Sequence, residues 1–253
     1  MKYIIYSILF LMAGLGITGC GDSDNLKGGF AEGTGGLNLK EPSTEKEIDI
    51  PVIYTRSGDI AFDLQPETFP VSIYKKGSET SVKSFESFAA LIDAGSPLVL
   101  PVGEYTVKAS SFTPSEKVSE KPYFDGSTDF EIEEGEVLNT SVKCFFKSLG
   151  VELRLSDRFK ELLAAQPENY DYTVTVSNEL ATWTFDKKEM KTGYFLDGCT
   201  RLIVKVVVKM GGQTYPERTW YFKNGENAPQ IGEYYIITLD AGKSELKMSS
   251  CKL

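Results

Sequence analysis

Histidine is absent from all 253 residues of this chain. That absence removes the Ser-His-Asp triad, Cys-His activation of a nucleophile, His-ligated zinc or iron and the commonest general base. Cysteine is scarce: Cys20, Cys144, Cys199 and Cys251 show no CxxC spacing, so no cysteine-built metal site is expected. Tryptophan occurs twice, at Trp183 and Trp220. Basic residues are in deficit, 27 Lys and Arg against 36 Asp and Glu for a net charge of −9, which argues against a nucleic-acid partner. Carboxylate-only chemistry survives these exclusions. Its obvious adjacent pair, Glu133-Glu134, runs into Glu134-Gly135-Glu136, which reads as a charged turn between strands. The expectation is a protein that is not an enzyme and uses no metal or cofactor.

What is present begins with an export signal. Lys2 supplies a positive start, Ile4 to Met12 an apolar stretch, and Gly14 and Gly16 lead to Ile17-Thr18-Gly19-Cys20. An apolar residue, two small ones and cysteine resemble the bacterial lipobox, in which the cysteine is lipidated and becomes the first residue. The apolar run falls short of the roughly 20 residues that span hydrocarbon. Residues 1–19 are therefore read as a lipoprotein signal peptide. More than one acyl chain on Cys20, palmitate among them, anchors stably to a membrane. Asp22 and Asp24 resemble export tags that send lipoproteins to the exposed side of the outer membrane, so the expected location is the cell outer membrane, facing outward. Removing the leader also removes Lys2 and leaves the mature chain one unit more acidic.

From Gly21 to Gly36 the chain is polar, holds six glycines and has no apolar period. Residues 20–36 are read as the lipidated cysteine and a tether, a coil reaching roughly 20–24 Å. Period-two patterning follows. Tyr105, Val107 and Ala109 alternate with polar neighbours, as do Phe130 and Ile132, and Leu138, Val142, Cys144 and Phe146 share one parity. Cys144 is thus placed in a core as a buried thiol. Val151 to Leu155, Tyr172 to Val176 and Leu202 to Met210 alternate in the same way, and Gly211-Gly212 fits a tight hairpin turn. Helical spacing is sparse: Phe85, Phe88, Leu91 and Ile92, then Arg158 to Ala165 with Asp157 as its cap. Asp125-Gly126-Ser127-Thr128-Asp129 lacks the terminal glutamate of a calcium loop and reads as a turn. The patterning restarts after Lys147 to Gly150, which divides the body into residues 37–147 and 148–253. Each half holds about seven short strands, enough for a β-sandwich. The fold class is all-β, with two tandem antiparallel β-sandwich domains.

Leu100-Pro101-Val102-Gly103-Glu104-Tyr105-Thr106-Val107-Lys108-Ala109, then Pro122-Tyr123-Phe124-Asp125-Gly126 and Phe130, resemble the fimbrillin-like cell-adhesion lipoproteins of Gram-negative anaerobes. The resemblance extends to a cysteine-bearing strand, Val137 to Phe146, and to the lipobox. It implies sandwiches of transthyretin-like, Ig-like Greek-key topology. It also implies a surface lipoprotein acting as an adhesin or a fimbrial, pilus-associated subunit through protein or host-surface contacts and strand addition. In polymerising relatives a protease cuts after an arginine near the first strand; Arg56, in Thr-Arg-Ser-Gly, is the position here.

Two other readings attach to single residues. Exposed Trp183 or Trp220 could stack on sugar rings, as in a carbohydrate-binding lipoprotein of a glycan-uptake system, although each shares a strand face with Phe185 or Phe222 and could equally fill a core. Cys199 and Cys251 fall by parity on wet faces. A disulfide between them would close a loop of about 50 residues, contributing about 4 kcal/mol if unstrained; two unpaired thiols are the alternative.

Overall fold

The computed structural model describes residues 29–45, 60, 62–165, 168–222, 228–240 and 247–252, the last stretch by its backbone. The strands of the first half are β1 (Thr34–Leu39), β2 (Ser43–Glu45), β3 (Val71–Lys75), β4 (Ser81–Phe85), β5 (Leu98–Pro101), β6 (Gly103–Ser110), β7 (Val118–Ser119), β8 (Phe124–Ile132), β9 (Val137–Thr140) and β10 (Lys143–Phe146). Helix α1 (Phe88–Asp93) lies between β4 and β5. The second half holds β11 (Leu149–Leu155), helix α2 (Asp157–Ala165), β12 (Tyr170–Ser177), β13 (Thr182–Asp186), β14 (Gly193–Phe195) and β15 (Leu202–Met210). It ends with β16 (Gln213–Thr214), β17 (Arg218–Phe222), β18 (Glu233–Leu239) and β19 (Lys247–Lys252).

The protein is mostly β, built of four sheets among the described residues. A three-stranded sheet β5-β1-β9 faces a six-stranded sheet β2-β10-β8-β6-β3-β4. In the second half, β19-β18-β11-β14-β7 faces β13-β12-β15-β16, with β17 also paired to β15. The pairing is not antiparallel throughout: β1 with β9, β2 with β10 and β11 with β18 run parallel. Period-two alternation reports which face is wet; it carries no information on strand direction.

Val137 to Phe146 is a single run by parity, yet β9 belongs to the small sheet and β10 to the large one. The chain crosses between layers at Ser141-Val142, with Val142 fully buried at the crossing. Likewise Gly35 and Gly36 belong to β1, at the centre of the small sheet, and not to the tether. A Cβ on Gly35 would lie 2.2 Å from the Glu133 carbonyl oxygen, so these glycines serve close packing where composition alone suggests coil.

Local chemistry explains the remaining elements. Ser87 caps α1 by accepting from the Ala90 amide at 3.0 Å, and Phe85 ends β4 outside the helix. At α2 the capping side chain is Ser156, which accepts from Phe159 N at 3.2 Å, with Asp157 one residue inside. Gly211 and Gly212 adopt φ of +57° and +79° in the expected hairpin, and Pro216 then separates β16 from β17. Gly135 turns with φ +75° as read from the sequence, but Asp125 to Asp129 lie within strand β8.

Buried side chains gather in two clusters. The first joins Leu37, Leu100, Val107, Phe124 and Cys144; the second joins Leu153, Val174, Phe185, Val204 and Ile237. The break between them falls at Lys147-Ser148, near the expected boundary, but the halves interlock across it. β7 of the first half pairs with β14 of the second, and Tyr194, Tyr234 and Ile236 pack into the first cluster.

Candidate functional site

The inner face of the six-stranded sheet is filled by Val71, Ile73, Val107, Ala109, Phe124, Cys144 and Phe146, all buried. The strand period therefore drives Ser72, Tyr74, Lys108, Ser110, Asp125, Ser127 and Phe145 to the opposite face. Register sets them side by side. Phe145 is opposite Asp125, which is opposite Ser110, and Ser72 is opposite Lys108, which is opposite Ser127. Thr113, Pro114 and Tyr123, from the segment joining β6 to β8, raise a wall at one end, with Lys147 beside Phe145. Together they bound an open groove of 580 Å³, within the size of small-ligand sites. Gly126 lines it by its backbone alone; a Cβ there would fall 1.9 Å from the Lys143 carbonyl oxygen of the next strand.

The groove is aromatic and cationic. Lys108 Nζ stands 5.0 Å from the centre of the Tyr74 ring and Lys147 Nζ 6.0 Å from that of Phe145. Neither lysine has a carboxylate partner among the described residues. Tyr123 is braced edge-on by Phe112, ring centres 5.3 Å apart. Burial first, and then the negative charge of Asp125, push the Tyr123 pKa upward, while a side-chain hydrogen bond with Ser110 pulls it the other way. Hydroxyls of Ser72, Ser110 and Ser127 complete the lining. Such a set can stack, donate hydrogen bonds and neutralise an anion.

The profile of a domain of unknown function, DUF4493, matches residues 33–250. The chain belongs to the DUF4493 family. A search of curated proteins finds no match. Among solved structures, a candidate cell adhesion protein from Bacteroides ovatus is 11% identical with a TM-score of 0.45, the alignment covering 85% of this chain and 95% of that one. One from Bacteroides eggerthii is 10% identical with a TM-score of 0.46, covering 87% and 96%. The fimbrial anchor protein Mfa2 from Porphyromonas gingivalis is 11% identical with a TM-score of 0.39, covering 86% and 97%. At that identity and superposition the likenesses assign no activity.

In this DUF4493 chain the tryptophans are half-buried wall residues of the second core. Register places Trp183 opposite Val176, Val176 opposite Val204 and Val204 opposite Trp220, one row across the inner face of the sheet. Trp183 lies against Gly193, where a Cβ would meet its ring at 2.4 Å, and its indole N–H donates to the Lys191 carbonyl at 3.0 Å. Of the cysteines, Cys144 is buried as expected, its thiol donating to the Ala109 carbonyl at 3.5 Å. Cys199 is a free thiol packed half-buried against the second core, so its parity with Arg201 does not put it in water. The backbone of Cys251 lies opposite Tyr234. Cys20 and Arg56 fall outside the described residues.

Of the groove residues, the sequence reading weighs only Asp125, Gly126 and Ser127 for a site, as a calcium loop read instead as a turn. A signal was there: Phe145 stands between Cys144 and Phe146, at the parity otherwise held by Asn139, Ser141 and Lys143, an aromatic on a wet face.

Proposed function

We propose that this protein is a lipid-anchored outer-membrane lipoprotein that works in cell adhesion, or as a fimbria-associated subunit, through contacts with proteins or host surfaces and without catalysis. The observation that carries the reading is the groove: aromatic rings, and lysines without a carboxylate partner among the described residues, displayed on one sheet face as a contact surface. The lipobox at Cys20, the acidic residues behind it and the motifs from Leu100 to Gly126 support the same reading. Cleavage after Arg56 belongs to the proposal as a maturation step, to be read by N-terminal sequencing of the surface-exposed protein.

The test is adhesion. Bacteria displaying the Tyr74→Ala, Phe145→Ala double variant should bind host epithelial cells several-fold less than wild type at equal surface amounts. Unchanged adhesion overturns the reading. The groove's aromatics also favour a second reading, a carbohydrate-binding lipoprotein of a glycan-uptake system. In that case deletion would slow growth on a glycan and leave adhesion intact.

A further inference from the structure

We infer that the groove on the six-stranded sheet binds a carboxylate-bearing saccharide, such as a short uronic- or sialic-acid glycan. The inference rests on the adhesion reading and names the ligand class of that same surface.

The first argument is topological. Strands β3, β6, β8 and β10 are all interior to the order β2-β10-β8-β6-β3-β4, each hydrogen-bonded on both sides. Among the described residues no unpaired strand edge faces the groove, so strand addition does not hold a peptide there, and recognition falls to side chains.

The second concerns what those side chains offer. Tyr74, Tyr123 and Phe145 present ring surface, and Ser127 presents a hydroxyl, flanked by Ser72, whose hydroxyl meets that of Ser84 at 3.0 Å, and Ser110, whose hydroxyl donates to the Phe112 carbonyl at 3.1 Å and can still accept. Rings for the apolar face of a pyranose, with small hydroxyls for its own, form a complementary set.

The third is charge. Lys108 stands within the row Ser72-Lys108-Ser127 and Lys147 just beyond Phe145, each over an aromatic ring and without a carboxylate partner among the described residues, against the one lining carboxylate of Asp125. Other cations, such as Lys76 with Glu104, Lys117 with Asp197, Lys191 with Glu120 and Lys205 with Glu217, are held in ion pairs; these two are not, among the described residues. The groove thus keeps two cations available on a chain whose net charge is −9, a local site for a discrete anion and a poor surface for a polyanion such as nucleic acid. Ring faces set the sugar's plane, and a ligand carboxylate drawn between the lysines sets its register.

Calorimetric titration of the full mature protein with trigalacturonate, a mannuronate tetramer, a hyaluronan tetrasaccharide and sialyllactose tests this, with methyl-esterified trigalacturonate and oligoglutamate as comparators. At least one acidic saccharide should bind, and its neutral ester at least about 10-fold more weakly. Lys108→Gln and Lys147→Gln should each weaken binding about 10-fold, an effect that shrinks at high salt, while Lys205→Gln, outside the groove, leaves it unchanged. The inference is overturned if none of the four binds, if neutral and acidic forms bind alike, or if oligoglutamate binds as well as the best saccharide. If no saccharide binds while the groove variant still loses cell adhesion, the ligand class fails and the adhesion reading stands. If saccharides bind and adhesion is unaffected, the reverse holds.

Discussion

Glycine has two distinct uses here, and they respond differently to a methyl group. At Gly126 the backbone is extended and a Cβ would collide with the Lys143 carbonyl, 1.9 Å away, in the neighbouring strand. At Gly77 the space is open but φ is +76°. Gly126→Ala should therefore cost about 2–3 kcal/mol through forced separation of β8 from β10, and Gly77→Ala only about 1 kcal/mol through backbone strain. Thermal denaturation should rank them in that order; equal losses would remove the packing argument. Cys144 makes a second prediction. Burial, aided by Asp125, pushes its thiol from the ordinary 9.0 up to about 12, and burial likewise lifts Cys199 to about 11 and Tyr194 to about 12. In each case the folded state holds the proton more tightly than the unfolded chain. Their contribution is whole below about pH 9, and it is lost as pH climbs toward 12. Chemical denaturation at rising pH should show stability falling across that window. Cys144 in the native protein should resist iodoacetamide and react only after unfolding.

At the scale of elements, the row Trp183-Val176-Val204-Trp220 shows why the tryptophans sit where they do. Both bracket the apolar midline of one sheet, and each covers the flank of the second core. Trp183→Ala or Trp220→Ala should cost about 3 kcal/mol in urea denaturation while leaving saccharide affinity at the groove unchanged. A loss of affinity at intact stability would return these residues to the binding surface. Strand β18 shows a different economy. Its sequence Glu233-Tyr234-Tyr235-Ile236-Ile237-Thr238-Leu239 has no wet face, because Tyr235, Ile237 and Leu239 enter the second core while Tyr234 and Ile236 enter the first. Gly150, across from Tyr234 in the parallel pair, leaves room for that ring, since a Cβ there would come within 2.4 Å of it.

For the whole molecule, that shared sheet decides how separable the halves are. Phe146 packs edge-on against Tyr194 at 6.2 Å between ring centres, and Tyr194 continues to Tyr234 at 6.4 Å, an aromatic chain across the joint. Residues 148–253 expressed alone should give a β-type circular dichroism spectrum, since every buried residue of the second cluster comes from this half. They should also self-associate or bind a hydrophobic dye, because Tyr194, Tyr234 and Ile236 lose their cover. A monomer that binds no dye would mean the contact is dispensable. The leader makes an independent prediction: Cys20→Ala should abolish lipidation, seen as a mass shift, and release the protein from the membrane fraction. Non-reducing peptide mapping decides between the two sequence readings of Cys199, a free thiol as its packing here has it or a link to Cys251.

The sequence by itself determined the features that depend on local pattern. These are the β class, from two-residue alternation; the Gly211-Gly212 hairpin, from two residues free to take positive φ; the inward Cys144, from parity; and the short helices, to within a cap. It excluded histidine chemistry by composition alone. Tertiary structure decided everything that depends on which strand lies beside which. Gly35 reads as coil because a glycine's reason is the neighbour it lets in, and that neighbour, Glu133, is about a hundred residues away in sequence. Parity could not reveal the parallel pairings, the switch of β9 and β10 between sheets, or a β18 buried on both faces. The groove was out of reach for the same reason. Tyr74, Lys108, Asp125 and Phe145 come from four separate strands, and only register, a long-range property, sets them around one space.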